Sequence, residues 1–233
     1  MNIFYLHEDP VQNAKWHIDK HIVKMPIEYA QLMSTAHRML DGDMYWDRTA
    51  NNRRIKRWRL RDEREDILYK ASHVNHPSAV WVRESIENYF QMYKIYMATL
   101  AEFTHRYGKV HGASRPSLYL MRAPLNIPLV RGTQIPQAMP DYCKVEGDPI
   151  TAYRNYYINE KKRFATWKNK EKPEWFMTQN QKDIMTGCYG NYDKIQSLKE
   201  DGKKISNIVS LAEKRKELRA VSYTHLRAHE TYV

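Results

Sequence analysis

The chain of 233 residues is 42% hydrophobic and 28% charged, a balance typical of a globular protein and not of a disordered one. Its 38 lysines and arginines outnumber 27 aspartates and glutamates, and the net charge of +11 favours a polyanionic partner such as nucleic acid. The sequence contains no apolar run of about eighteen residues and no signal-peptide pattern, so we expect a cytoplasmic protein that does not bind a membrane.

The N-terminal region begins with a short apolar run at residues 2–6 that is typical of a β-like segment. Asp9 and Pro10 follow, and these are residue types that helices favour at the N-cap and the first helical position. A long helix is predicted from residue 15 to residue 40, because apolar residues recur there at alternating gaps of three and four. These apolar residues are Ile18, Ile22, Met25, Tyr29, Leu32, Ala36 and Met39. Pro26 lacks an N–H, so we expect the helix to kink or restart at this point.

The opposite side of this helix carries a polar stripe in which one carboxylate lies between basic residues. The stripe comprises Lys20, Lys24, Glu28, Gln31, Thr35 and Arg38, and His17 and His21 flank it. Lys24 and Glu28 are one helical turn apart, so an amine and a carboxylate can meet near the proline. A solvated face with an ion pair that contributes roughly 0.2–0.5 kcal/mol is the alternative interpretation.

A strongly basic segment follows at residues 48–61, where seven lysines and arginines are interleaved with Ile55, Trp58 and Leu60. Such a segment can bind phosphates and stack a base on its aromatic ring, and we therefore assign Arg53, Arg54 and Arg57 to nucleic-acid binding. An acidic cluster lies directly after it, at residues 62–66. A surface segment that this cluster neutralises explains the pattern equally well.

The sequence Asn75-His76-Pro77 predicts the start of a second helix. Its helical pattern continues for about thirty residues until Gly108, which would make it the longest helix of the chain. Its aromatic residues share one face, which favours core packing over a base-stacking platform. Arg83 and Lys94 lie off that face.

Residues 111–147 contain five prolines that are too closely spaced for a regular element, and they predict a long ordered loop. Asp148 and Pro149 begin a third helix, and the basic residues on its outer side strengthen the prediction of a polyanionic partner. Weaker helices are predicted between residues 177 and 220, the last of them at residues 203–219.

Taken together, these patterns predict a mainly α protein, a compact helical domain at residues 1–220 with a short N-terminal β-like segment and a long proline-rich loop. Residues 221–231 resemble the translation of a sequencing adaptor, so we expect residues 221–233 to be a non-native tail. Cys143 and Cys188 lack the spacing of a disulfide framework or a zinc site. Phosphate-binding glycine loops and HExxH pairs are absent as well, so we expect no metal and no cofactor. We also expect a monomer.

Several short motifs, in this order and at this spacing, resemble the pyrimidine dimer DNA glycosylase family. They are Met-Asn-Ile-Phe at residues 1–4, Asp19-Lys20-His21 with Glu28 after it, Asn75-His76-Pro77, and Arg106-Tyr107-Gly108. The resemblance covers residues 1–108. It is weaker at residues 148–175, where a helix is followed by a Pro-Glu-Trp-Phe segment.

The resemblance implies a phage-type enzyme that binds double-stranded DNA, excises a damaged or modified pyrimidine as a glycosylase, and can cleave the strand by β-elimination as a lyase. An amine attacks C1′ of the sugar, and a carboxylate stabilises the sugar cation and moves protons. Glu28 and His21 match the glutamate and the histidine of the family motif. The DNA-binding residues that we expect here are Lys20, His21, Arg38, His76 and Arg83.

The chain departs from the family at the attacking amine, which in the best-known members belongs to a small residue exposed when the initiator methionine is removed. Residue 2 is Asn here, a residue that normally leaves Met1 in place. The α-amine of Met1 and the Nζ of Lys24 are therefore the two candidate nucleophiles, and Lys24 requires burial to lower its pKa. The main alternative is that the chain has lost the catalytic activity and only binds DNA or RNA as an accessory protein. An enzyme that acts on free nucleotides is ranked last.

Overall fold

The computed structural model describes residues 1–177, of which Met1–Phe176 form one compact unit. The fold is mainly helical, as the sequence predicts. The α-helices are α1 (Pro10–Trp16), α2 (Asp19–Asp41), α3 (Arg64–Ile67), α4 (Pro77–Glu84), α5 (Ile86–Tyr107), α6 (Ser117–Leu120) and α7 (Pro149–Tyr156). Strands β1 (Asp43–Arg48) and β2 (Arg54–Arg59) form an antiparallel hairpin. The helices expected after residue 177, Cys188 and the expected tail lie outside the described residues.

Helix α2 is the centre of the core, and it packs against α4 and α5. The predicted apolar stripe from Ile18 to Ala36 is buried, and the helix continues without interruption through Pro26. The expected start at residue 15 was wrong, because α1 ends at Trp16 and the backbone is extended at His17 and Ile18 before α2 begins.

The predicted second helix is two helices, α4 and α5, which meet at Ser85. The backbone of Ser85 is extended, its hydroxyl accepts a hydrogen bond from the Glu87 N–H, and it donates one to the carbonyl of Val130. This N-cap divides the predicted helix in two. The longest helix of the described residues is therefore α2, with 23 residues, and not α5, which has 22.

The hairpin was not predicted, because the many charges of residues 48–61 hide the alternation of a strand. Asp43 pairs with Arg59 at its base and Arg48 with Arg54 near its turn. Residues 2–6, expected to be β-like, pair with no strand within the described part of the chain. They are nevertheless part of the core, since Ile3 and Leu6 are fully buried and the Leu6 N–H donates to Oδ1 of Asn13 at 2.7 Å.

The proline-rich segment at residues 111–147 is a loop with short helical turns, in agreement with the prediction. Ile127 and Ile135 are buried, and the side chain of Asn88 on α5 binds both the N–H and the hydroxyl of Thr133. These contacts fix the loop on the helical core, and its later part contacts the N-terminal segment at the carbonyl of Ala138. None of the described helices is both long and apolar enough to cross a bilayer.

Candidate active site and nucleic-acid interface

Glu28 lies in the middle of α2, and each of its carboxylate oxygens has a nitrogen partner. The N–H of Asn2 donates to Oε2 at 3.3 Å, and Nζ of Lys24 lies 2.8 Å from Oε1. The Glu28 side chain is 14% exposed, whereas that of Lys24 is 68% exposed. Only the Cα and the carbonyl carbon of Met1 separate the Asn2 nitrogen from the Met1 α-amine. The fold therefore brings the chain terminus to the carboxylate that the sequence singles out.

The side chain of Asn2 holds this terminus in place. Its Nδ2 donates to the carbonyl of Ala138 at 2.8 Å. The hydroxyl of Tyr153 lies 2.8 Å from Asn2 Oδ1 and equally far from the carbonyl of Pro136, and it can donate to either. Burial raises the pKa of Tyr153, which keeps this phenol neutral. The N-terminus is thus connected to the proline-rich loop and to α7.

His76, the N-cap of α4, belongs to the same part of the surface. Its pKa is lowered, first by partial burial and then by the positive charges of the Met1 α-amine and His73, while Glu28 raises it. Nδ1 accepts a hydrogen bond from the Ser78 N–H at 3.1 Å. The neutral ring therefore carries its proton on Nε2, and His76 can act there as a hydrogen-bond donor.

The arrangement favours one of the two candidate nucleophiles. The Lys24 hypothesis depends on burial, and this side chain extends into solvent from an ion pair with Glu28. Met1 is a partly buried residue, its α-amine is three bonds from the Asn2 nitrogen that contacts Glu28, and the charge of this amine contributes to lowering the pKa of His76.

His21 does not fit the DNA-binding role that we assigned to it, and this assignment was wrong. The side chain is buried and stacks on the ring of Phe4 with a centroid distance of 4.0 Å. Its Nδ1 lies 2.6 Å from the hydroxyl of Tyr157, and burial lowers its pKa to about 2. The neutral ring packs the N-terminal segment onto α2, so it positions the site and cannot reach a phosphate.

Arg38 was also wrongly assigned to phosphate binding, because it is 2% exposed. Its guanidinium donates to the carbonyls of Tyr69, Trp58, Glu65 and Leu68 and to the carboxylate of Glu65. These bonds occupy all five N–H groups of the side chain. The predicted polar stripe is thus exposed at Lys20 and Lys24 but buried at Thr35 and Arg38, where residues 58–72 cover α2.

The other assigned cations divide into exposed and structural side chains. Lys20 is exposed over the ring of Phe164, and Arg53 and Arg54 are exposed on the hairpin. Arg57 is 23% exposed and lies 3.8 Å from Asp47. Arg83 is half-buried, and its Nη1 donates to the carbonyls of Val74 and Ala79, so it stabilises the first turns of α4. Burial lowers the pKa of Arg83.

Sequence reasoning missed the residues that hold the terminus. The side chain of Asn2 was considered only for its effect on removal of the initiator methionine, and Tyr153 was not singled out. Their contact joins positions 151 residues apart. Periodicity within one segment carries no signal for such a contact.

The described residues contain no group of three or more His, Cys, Asp or Glu side chains arranged to hold a metal ion. Comparisons of the chain with protein-family models, with curated proteins and with solved structures found no match.

Proposed function

We propose that the chain is a base-excising enzyme that acts on double-stranded DNA, a glycosylase with β-elimination lyase activity on damaged or modified pyrimidines. The Met1 α-amine is the nucleophile and Glu28 is the catalytic carboxylate. The observation that carries the proposal is the hydrogen bond from Asn2 to Glu28, because it brings the residue next to the chain-terminal amine into contact with a carboxylate.

The proposed reaction begins when the free electron pair of the amine attacks C1′ of the deoxyribose. The bond from C1′ to the base breaks, and the base leaves with the bonding electrons and takes up a proton. The amine loses its protons as the sugar ring opens to an imine. Removal of a C2′ proton then expels the 3′ phosphate, and water hydrolyses the imine to regenerate the amine.

Glu28 suits the proton transfers of this sequence. One oxygen faces the chain terminus through Asn2, so the carboxylate can accept a proton from the attacking amine and stabilise the positive charge that develops on the sugar. Lys24 neutralises the other oxygen and presents an exposed cation at the edge of the site. Lys20, one turn earlier on α2, adds a second exposed cation that can bind a DNA phosphate.

Borohydride trapping tests the proposal, because borohydride reduces the imine and leaves the protein covalently attached to DNA. We expect an adduct with duplexes that carry an abasic site or a modified pyrimidine. Glu28→Gln should lower its yield by roughly 100-fold or more. Glu63→Gln, which removes an exposed carboxylate in another part of the fold, is the matched control and should leave the yield unchanged. If the chain formed neither adduct nor abasic product across a broad panel of modified duplexes, the enzymatic proposal would be wrong.

A non-catalytic protein that binds DNA or RNA is the second candidate, because the exposed cations of the hairpin do not require Glu28. In that case Glu28→Gln should leave all measurable properties unchanged, whereas binding should weaken steeply as salt increases.

A further inference from the structure

The two faces of the β1–β2 hairpin differ, because residues that pair across an antiparallel ladder project to the same side. One face, here called the Trp46 face, consists of Met44, Trp46, Arg48, Arg54, Lys56 and Trp58. The other, the Tyr45 face, consists of Asp43, Tyr45, Asp47, Ile55, Arg57 and Arg59. All members of the Trp46 face except Trp58 are exposed, whereas most of the Tyr45 face is half-buried.

Charge is distributed unequally between these faces. The Trp46 face has three cations and no carboxylate, whereas the Tyr45 face has two cations and two carboxylates. On the Tyr45 face Arg57 lies near Asp47, and Asp43 forms a bidentate pair with Arg61. The positive charge of the hairpin is therefore concentrated on its more exposed side.

The acidic cluster at residues 62–66 does not neutralise the Trp46 face. Glu65 binds the buried Arg38, and Asp62 binds Arg64 at 2.8 Å. Within residues 1–177 no ion pair includes Arg48, Arg54 or Lys56. The alternative that we considered from the sequence, a self-neutralised surface segment, does not describe these three side chains.

Trp46 holds two of these cations in position. The guanidinium carbon of Arg54 lies 4.0 Å from the centre of the indole ring, and Nζ of Lys56 lies 5.4 Å from it. A cation–π contact uses the ring and no N–H donor, so the donors of Arg54 and Lys56 remain available to a ligand. Trp46 itself is 48% exposed. A solvent-open hollow of about 360 Å³ lies between Trp46, Asp47, Arg48 and Arg54.

We propose that the Trp46 face is a DNA-binding surface on which Arg48, Arg54 and Lys56 bind backbone phosphates of a duplex. Unneutralised cations beside an exposed indole ring fit a polyanion, and a two-stranded ribbon has the width that the major groove admits. The inference rests on the proposed function only for the choice of DNA as the polyanion. It adds a surface that needs neither Met1 nor Glu28.

Two double variants of equal charge test this proposal. Arg54→Ala with Lys56→Ala removes two cations from the Trp46 face, and Arg59→Ala with Arg61→Ala removes two exposed cations that lie on the Tyr45 face or just beyond it. Binding of an unmodified 20-base-pair duplex is measured by fluorescence anisotropy across a salt series. The first variant should reduce the slope of log K against log salt by about 2, since each phosphate contact contributes about 0.9. The second should leave the slope close to that of the parent chain.

Equal losses of DNA affinity in both variants would show that only net charge matters. No loss of affinity in the first variant would show that DNA binds elsewhere. Either result would overturn the proposal. Thermal unfolding of the first variant should stay close to the parent, because Arg54 and Lys56 donate no side-chain hydrogen bond within the described residues. The second variant should lose a little stability, because it removes the exposed pair of Arg61 with Asp43. Binding and excision are separate measurements. If the chain binds DNA through this face but excises no base, only the enzymatic proposal is wrong. If it excises bases and the variant Arg54→Ala with Lys56→Ala binds DNA as well as the parent, only the hairpin proposal is wrong.

Discussion

The backbone N–H of Asn2 and the carboxylate of Glu28 are joined by a hydrogen bond of 3.3 Å between the N-terminal segment and the middle of α2. Within this segment the buried ring of Phe4 stacks on His21 of α2, and Tyr153 of α7 contacts the side chain of Asn2. The position of the chain terminus is therefore determined by tertiary packing. A small displacement of the terminus should separate the proposed nucleophile from its carboxylate.

Extension of the N-terminus by Gly-Ser tests the identity of the nucleophile. The extension converts the Met1 amine into an amide and moves the new amine away from Glu28, so we expect the borohydride adduct to fall by roughly 100-fold or more. Lys24→Arg keeps the charge beside Glu28 but removes the lysine amine, and it should retain most of the adduct. The opposite result, loss in Lys24→Arg and none in the extended chain, would assign the nucleophile to Lys24.

Asn2→Leu tests whether side-chain anchoring of the terminus matters for excision, because leucine has nearly the shape of asparagine and, unlike a small residue, leaves Met1 in place. It removes the hydrogen bond to Ala138 and the contact with Tyr153, so we expect a loss of about 1–2 kcal/mol in the free energy of unfolding. Excision should fall by roughly tenfold or more, because the amine is no longer fixed. Single-turnover excision and urea unfolding provide the two measurements. Asn51→Leu, at the exposed tip of the hairpin, should change neither, and an unaffected excision rate in Asn2→Leu would contradict the anchoring argument.

Arg38→Met distinguishes the structural role of Arg38 from the phosphate-binding role that the sequence indicated. The substitution leaves four backbone carbonyls and Glu65 without their donor, and we expect the free energy of unfolding to fall by about 3–5 kcal/mol. Urea unfolding measures this loss. Arg53→Met, on an exposed arginine, should stay within about 0.5 kcal/mol of the parent. A stable Arg38→Met variant with weakened DNA binding would restore the original interpretation.

The sequence alone predicted the parts of the fold that local patterns determine. Helical periodicity identified the buried stripe of α2, and Asp148 with Pro149 marked the start of α7, because caps and periodicity are local. Arg38 shows the limit of this reasoning. It lies on the polar stripe with Lys20, but residues that are distant in sequence cover its turn of the helix and satisfy its donors. The same limit applies to the hairpin. The sequence shows only that residues 48–61 are strongly charged, whereas the pairing of β1 with β2 shows which of these cations share a face.

The pH dependence of stability follows from three buried histidines. Burial lowers the pKa of His17 to about 4, that of His21 to about 2 and that of His37 to about 4, each from 6.5. The unfolded chain therefore binds protons near pH 6.5 that the folded chain excludes. The stability that these neutral rings contribute is fully present above pH 6.5 and is lost as the pH falls towards 4. Each ring should contribute a slope of about 1.4 kcal/mol per pH unit in this range.

Urea unfolding at pH 7.5 and pH 5.0 measures this loss, and we expect the lower pH to be strongly destabilising. His21→Phe is the informative variant, because phenylalanine preserves the stacking on Phe4 but cannot be protonated. It should lower the free energy of unfolding at pH 7.5, since the hydroxyl of Tyr157 loses its partner, yet it should reduce the dependence on pH by about a third. If stability depended on pH equally in His21→Phe and in the parent, His21 would have to take up a proton in the folded chain as well. The assignment of a neutral, buried ring that packs the N-terminal segment onto α2 would then be wrong.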